Sequence, residues 1–292
     1  MHLKITAADK SDVGKQRDQN EDKAYRRIES TEDGDLGLFI VADGMGGYKA
    51  GEVASKLAIE TISRGLDSFF KPIPEQPTVK LHPSDLNKPV SASSSKTDGS
   101  AQQKTRKLSE TSLIMAIEDQ LTATIQQANK AIIRYGEQQS AARGLGSTVT
   151  VALVQDERAY IANVGDSRTY LFRESKLKPI TRDHSLVARL VEANQISPED
   201  VYTHPQRNLI YRSLGAGHKN IEVDIFQEAL HPGDTLLLCS DGLWEMVHQQ
   251  DLKKALSKQV SPQTICDTLI DMANAGGGED NITAVVIHVS AR

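Results

Sequence analysis

The links between successive strand-like runs are too short for anything but antiparallel pairing. Residues 148–155 and Arg158–Val164 are rich in Val, Ile, Thr and Tyr, and only Asp156-Glu157 separates them. Gly165-Asp166-Ser167 then leads into a returning run, Arg168–Arg173. A parallel crossover needs about a dozen residues or more, so these runs read as hairpins. Residues 3–8, 36–42, 221–228, Thr235–Cys239 and 281–289 add further strands, with 177–180 as a short edge. Helical spacing governs two long stretches. In 51–70, Ala54, Ala58, Ile62, Leu66 and Phe69 share a face. In 110–135, Ile114, Ile117, Leu121, Ile125, Ala128, Ile132 and Tyr135 step by three or four throughout. These two helices are expected to pack together. Shorter helices are expected over 185–193, 249–257 and 262–274. Hairpin strands with such helices point to α+β layers, and no fixed-period repeat competes with that.

Two stretches break the pattern. Residues 71–107 carry five of the ten prolines and the run Ser91-Ala92-Ser93-Ser94-Ser95. They offer too little apolar surface to offset chain entropy and read as a disordered insert, either a spacer or a docking segment. Residues 194–219 lack periodicity and read as a mobile excursion. The 292 residues suffice for one large domain or two small ones. Lys+Arg total 34 against 39 Asp+Glu, a net charge of -5, which argues against a broad nucleic-acid surface. Met1-His2-Leu3-Lys4 leads into no apolar signal region, and no apolar run approaches a membrane span. Cys239 and Cys266 form no close-spaced metal or redox pair. These features favour a reducing cytoplasm.

Phe39-Ile40-Val41-Ala42-Asp43-Gly44-Met45-Gly46-Gly47 is an apolar strand ending on a carboxylate. A buried acid is costly unless a cation or hydrogen bonds compensate. A phosphate cradle on the glycines is one reading, but no Lys-Ser/Thr pair follows and the spacing is not G-x-G-x-x-G. A hard metal on the Asp43 carboxylate and a backbone oxygen is a second. A plain strand-to-helix turn is the third. Asp166, Asp241 and Asp280 also stand beside or close to glycines at strand ends, and Glu21-Asp22 precede an early strand. Each singly can be turn punctuation. Gathered together they would repel one another unless divalent cations reversed the penalty. Oxygen ligands without a Cys or His cluster point to magnesium or manganese rather than zinc.

Six motifs occur in a fixed order: Gly14-x-x-Arg17-x-x-Asn20-Glu21-Asp22, Val41-Ala42-Asp43-Gly44-Met45-Gly46-Gly47, Gly146-Ser147-Thr148, Asn163-Val164-Gly165-Asp166-Ser167-Arg168, Ser240-Asp241-Gly242-Leu243-Trp244 and Glu279-Asp280-Asn281-Ile282-Thr283. Together they resemble the type 2C, metal-dependent protein serine/threonine phosphatases, bacterial branch. The resemblance covers nearly the whole chain apart from 71–107. It implies a single phosphatase domain with a central antiparallel β-sandwich flanked by pairs of helices, four layers in αββα order, and a flap at about 194–219. It also implies a site for two Mn2+ or Mg2+ ions, with a weaker third. On that pattern Asp43 bridges the two metals, and Asp241 and Asp280 hold one of them. The Gly44 carbonyl and Glu21 serve the other, and Asp166 joins Asp241 at the third site. Asp22 orients water and Arg17 grips the substrate phosphate. The implied reaction is hydrolysis of phosphoserine or phosphothreonine by in-line attack of a metal-bridging hydroxide. A monomer acting on phosphorylated proteins in opposition to a serine/threonine kinase is expected, with no nucleic acid or membrane as partner.

The pattern departs from many relatives at Met45, where they carry a histidine thought to protonate the leaving alcohol. His184 is a candidate for that task or a structural histidine. Tyr202, His204 and Arg207 either touch a phosphopeptide or hold the flap. Trp244 reads as core.

Overall fold

The computed structural model describes residues 2–31, 34–46, 50–71, 110–139, 142–217 and 219–292. Strand β3 (Gly34–Met45) shows how its layers arise. Leu38, Ile40 and Ala42 enter a core shared with helices, while Phe39 and Val41 enter a core between two sheets. Successive strand residues face opposite ways, so a strand covered on both sides must be apolar at every position.

One sheet places β2 (Asp22–Thr31) on one side of β3, with β5 (Val149–Gln155), β6 (Arg158–Val164) and β10 (Asp224–Ala229) on the other. Short β4 (Gly146–Ser147) and β9 (Leu214–Gly215) prolong it beyond the end of β3. The second sheet runs β1 (Leu3–Asp12), β12 (Ile282–Ala291), β11 (Thr235–Cys239), β7 (Arg168–Arg173) and β8 (Lys176–Pro179). Every pairing is antiparallel. The β5–β6 link has Asp156 and Glu157 at φ 50° and 63°, the left-handed pair that a tight hairpin requires.

α1 (Ala50–Gly65) and α2 (Glu110–Gln138) cover the first sheet, burying Ala54, Ala58 and Ile62 against Ile117, Leu121, Ile125 and Ile132. Each fully buried Leu or Ile contributes about 1.5–3 kcal/mol, so this stripe fixes how α2 lies. α4 (Asp241–Trp244), α5 (Gln249–Leu256) and α6 (Pro262–Ala275) cover the second sheet through Leu252, Ile265 and Leu269. The result is the expected αββα stack. α3 (Leu186–Glu192) follows β8. Between the sheets, Phe39, Ile161, Leu238 and Val285 are replaced near one end by hydroxyl pairs. Thr150 and Thr169 meet at 2.7 Å between Oγ1 atoms, and Thr148 Oγ1 meets Ser167 Oγ at 2.7 Å. The acids gather at that end.

Partner strands moved several boundaries. β1 continues past Ala8 to Asp12, because Asp9 to Asp12 register with Val285 to Ile282. β3 continues through Asp43, since Gly44 and Met45 pair with Ser147 and Gly146. The strand expected over 221–228 lies at Asp224–Ala229, and the single-turn α4 was not expected. The proposed insert lies outside the described residues except for Lys71. The excursion after α3 carries local structure: a 3₁₀ turn, Pro198–Tyr202, and a bridge from Ser185 to Ile210. No helix among the described residues is long and apolar enough to cross a membrane.

Candidate metal centre

A cavity of about 200 Å³ opens at the hydroxyl-lined end of the sandwich, and Arg17, Glu21, Asp43, Gly44, Asp166, Asp241 and Asp280 all line it. Met45, Thr148, Asn208, Ile210 and Asn281 complete much of the wall. Asp22 does not reach the wall. It is buried behind it, opposite Asp43 in the β2–β3 register, where Ser240 Oγ donates to its Oδ2 at 2.6 Å.

The acids are held by their backbones. The Asp43 amide donates to Thr148 Oγ1 at 3.3 Å, and its carbonyl accepts the Thr148 amide at 2.8 Å. The Glu21 amide donates to Asn281 Oδ1 at 2.7 Å, and its carboxylate accepts the amides of Gly51 and Glu52 at the start of α1. Gly51 permits that meeting: a Cβ there would lie 2.6 Å from the Gly44 carbonyl oxygen and 2.7 Å from Glu21 Oε2. The Asp166 carbonyl accepts Trp244 Nε1–H at 2.9 Å. Asp241 opens α4, directly after β11 and Ser240. Arg17 Nη2 donates to Asp280 Oδ2 at 2.6 Å. Asn281 Nδ2 donates to the carbonyls of Val13 and Gln19, both at 2.9 Å, tying the Arg17 loop to the last strand.

Burial dominates the electrostatics, and neighbouring acids add to it. Asp43 and Asp166 are pushed well above the usual carboxylate range by burial, then by Asp241. Burial lifts Asp22 to about 7 and Asp241 to about 6. Among the described residues no group of three or more Asp, Glu, His or Cys is closed into a ready coordination sphere; the acids share the cavity and one another's field without meeting at one point. Asp22 Oδ1 and Asp241 Oδ1 are buried without hydrogen-bond partners. Buried carboxylate oxygens of that kind call for a counter-charge.

Other sequence candidates lie elsewhere. His184 is off the wall, with Nδ1 accepting the Gly165 amide at 2.9 Å; burial, then Arg212, pushes its imidazole below the usual range. Tyr202 stacks on His248 with ring centroids 4.0 Å apart, and Arg207 donates to Glu245 at 3.1 Å and Glu279 at 2.7 Å. Trp244 is buried as expected. Sequence reasoning gave no role to Asn281, Ser240, Thr148 or Gly51. The first three sit inside the quoted motifs, whereas Gly51 carried no local signal. A larger cavity of about 300 Å³ is lined by α3 and the Pro198–Tyr202 turn, but its wall gathers no set of acids, and its buried Arg168 is already closed on Asp183 at 2.6 Å.

The fold recurs in known proteins. The Listeria monocytogenes protein "Serine/threonine phosphatase stp" is 36% identical over 251 residues, 86% of this chain and 84% of that protein. The Staphylococcus aureus serine/threonine phosphatase Stp1 structure superposes with a TM-score of 0.75 at 31% identity, covering 100% of this chain and 98% of that one. The catalytic domain of the phosphatase PstP, solved with two manganese ions, superposes with a TM-score of 0.73 at 30% identity, covering 99% of this chain and 100% of that one. The profile described as protein phosphatase 2C matches residues 15–269, and with these relatives it makes the chain a member of the protein phosphatase 2C family.

Proposed function

We propose that this chain is a metal-dependent protein serine/threonine phosphatase working at the Asp43 cavity. The convergence of Glu21, Asp43, Asp166, Asp241, Asp280 and Arg17 on one cavity carries the reading. The donor set fits hard divalent ions: the wall offers carboxylates and a glycine carbonyl, with no Cys or His. The unpartnered Asp241 Oδ1 is a ligand atom in waiting.

Asp43 would bridge two Mn2+ or Mg2+ ions, with Asp241 and Asp280 on one and Glu21 and the Gly44 carbonyl on the other. Asp166 with Asp241 would hold a weaker third. When bound, such ions neutralise the phosphomonoester and lower the pKa of a water. Arg17 then presents a planar fork of donors to phosphate oxygens. In its present pair with Asp280 the Arg17 side chain is half exposed, so the pair is worth only about 0–1 kcal/mol and releases readily. Asp22 acts from behind the wall, where its unpartnered Oδ1 can hold or release a proton. The wall carries Met45 where a histidine donor would stand, so it offers no imidazole acid for the leaving alcohol.

Phosphorylated proteins are the substrates on this reading, with a serine/threonine kinase as the opposing activity and a monomer as the working unit. The chain acts as one phosphatase domain carrying an insert at 71–107 and a flap at 194–219. We place it in the cytoplasm, on the support of two buried, unpaired thiols, Cys239 and Cys266. Purified protein with Mn2+ or Mg2+ will hydrolyse p-nitrophenyl phosphate and phosphothreonine peptides, and EDTA will abolish both. Asp43→Asn will lower kcat/KM by more than about 100-fold, beyond the usual loss for an outer-shell group. Wild-type turnover by Asp43→Asn and Asp280→Ala would sink the proposal.

A further inference from the structure

His184 is buried between the cavity wall and the returning arm of the flap. On the wall side, the Gly165 amide donates to its Nδ1 and its own amide donates to the Gly165 carbonyl, both at 2.9 Å. On the flap side, the Tyr211 amide donates to the His184 carbonyl at 2.9 Å, and Ser185 bridges Ile210. Gly165 precedes Asp166, and both Asp166 and Ile210 line the cavity.

Hydrogen-bond chemistry fixes the ring. Nδ1 accepts an N–H and carries no proton, so Nε2 carries it. Nε2 then faces Asp224 Oδ2, 3.2 Å away. Arg212 Nη1 lies 2.9 Å from Nε2 but finds its acceptor in Asp224 Oδ1 at 2.7 Å, while Nη2 donates to Glu222 Oε2 at 2.9 Å. The turn that the ring supports cannot stiffen itself with a side chain. Gly165 has φ +108°, and a Cβ there would lie 2.5 Å from Thr148 Cβ.

We infer that His184 is a positioning residue: its Nδ1 lone pair holds the Gly165–Asp166 turn so that Asp166 faces the cavity, and its Nε2–H couples that turn to the flap through Asp224 and Arg212. The inference rests on the reading of Asp166 as a metal-facing carboxylate. It gives His184 no contact with substrate.

The test uses the full chain and Mn2+. Asn places an acceptor near the position of Nδ1, whereas Gln reproduces the outer nitrogen and lacks that acceptor. Calorimetric titration with Mn2+ is compared for wild type, His184→Asn, His184→Gln and Asp166→Asn. Trp244, the only tryptophan in the chain, reports the turn through its bond to the Asp166 carbonyl. His184→Gln is expected to weaken the Asp166-dependent part of Mn2+ binding about 10–100-fold. It should also change the Trp244 emission response and lower kcat with little change in KM. His184→Asn should retain all three. A wild-type isotherm and emission response from His184→Gln would overturn the inference, however much its melting temperature fell. If His184→Gln does not fold, Asp224→Asn must show the same changes in milder form, and wild-type behaviour from it would overturn the coupling. An unchanged isotherm for Asp166→Asn would remove Asp166 from the metal site instead. Trp244 emission then decides: a shift in the Gln variant alone upholds the hold on the turn, and two wild-type spectra refute it.

Discussion

Arg17 and Asp280 lie 263 positions apart, yet they form a 2.6 Å ion pair at the cavity mouth. With 52% of the Arg17 side chain exposed, that pair adds little to stability. The guanidinium therefore matters for what it can bind. Arg17→Ala is expected to leave the melting temperature within about 1 °C of wild type, as surface substitutions usually do. Loss of charge-assisted hydrogen bonds worth about 1.5–3 kcal/mol should lower kcat/KM for p-nitrophenyl phosphate about 10–100-fold, mainly through KM. Arg17→Lys should recover only part, because an ammonium lacks the bidentate fork; steady-state kinetics on both variants checks this. Asp43, Asp166 and Asp241 were legible in the sequence because each ends an apolar run beside a glycine. Their supports were not. Ser240 donates to Asp22 across 218 positions and Asn281 accepts from Glu21 across 260, and no local pattern records such pairings.

At the scale of elements, α1 does more than cover a sheet. Its first turn supplies the Gly51 and Glu52 amides to Glu21 and lies against the Gly44 carbonyl. Helix propensity alone would favour Gly51→Ala by about 0.5–1 kcal/mol. The contacts at 2.6 and 2.7 Å that a Cβ would make decide otherwise. Gly51→Ala is expected to raise the Mn2+ concentration for half-maximal activity at least about 10-fold, comparable to loss of an outer-shell partner. Activity measured against Mn2+ concentration tests this, with circular dichroism confirming the helix. The stripe along α2 was readable because its period repeats over many turns. The ends of β1 and β3 were not, because those residues are strand only by virtue of partners such as Ile282 and Gly146. The same reasoning explains α4, a single turn too short for any periodic signal.

For the whole molecule, the buried acids link stability to pH and to cations. Asp22 at about 7 and Asp241 at about 6 stand above the ordinary unfolded value near 3.9. Between about pH 4 and 7 the folded, EDTA-treated protein holds protons that the unfolded chain has released. That stabilisation is complete below the unfolded value and disappears as pH rises through the folded values. The melting temperature without metal should therefore be higher at pH 5.5 than at 7.5, with a shallower slope in Asp22→Asn. Saturating Mn2+ should raise it most at pH 7.5, with about 2.7 kcal/mol at 100 times Kd. Scanning calorimetry across pH checks both, and a metal-free protein that melts higher at pH 7.5 contradicts the linkage. The placement of β12 between β1 and β11 has a consequence for biosynthesis. A nascent chain that has emerged only as far as β11 can build its first sheet and both long helices, but its second sheet has a gap in the middle and Asp280 is still to come. Hydrolytic competence should thus switch on late during translation, and β11 and β1 would meanwhile offer open edges for a chaperone to shield.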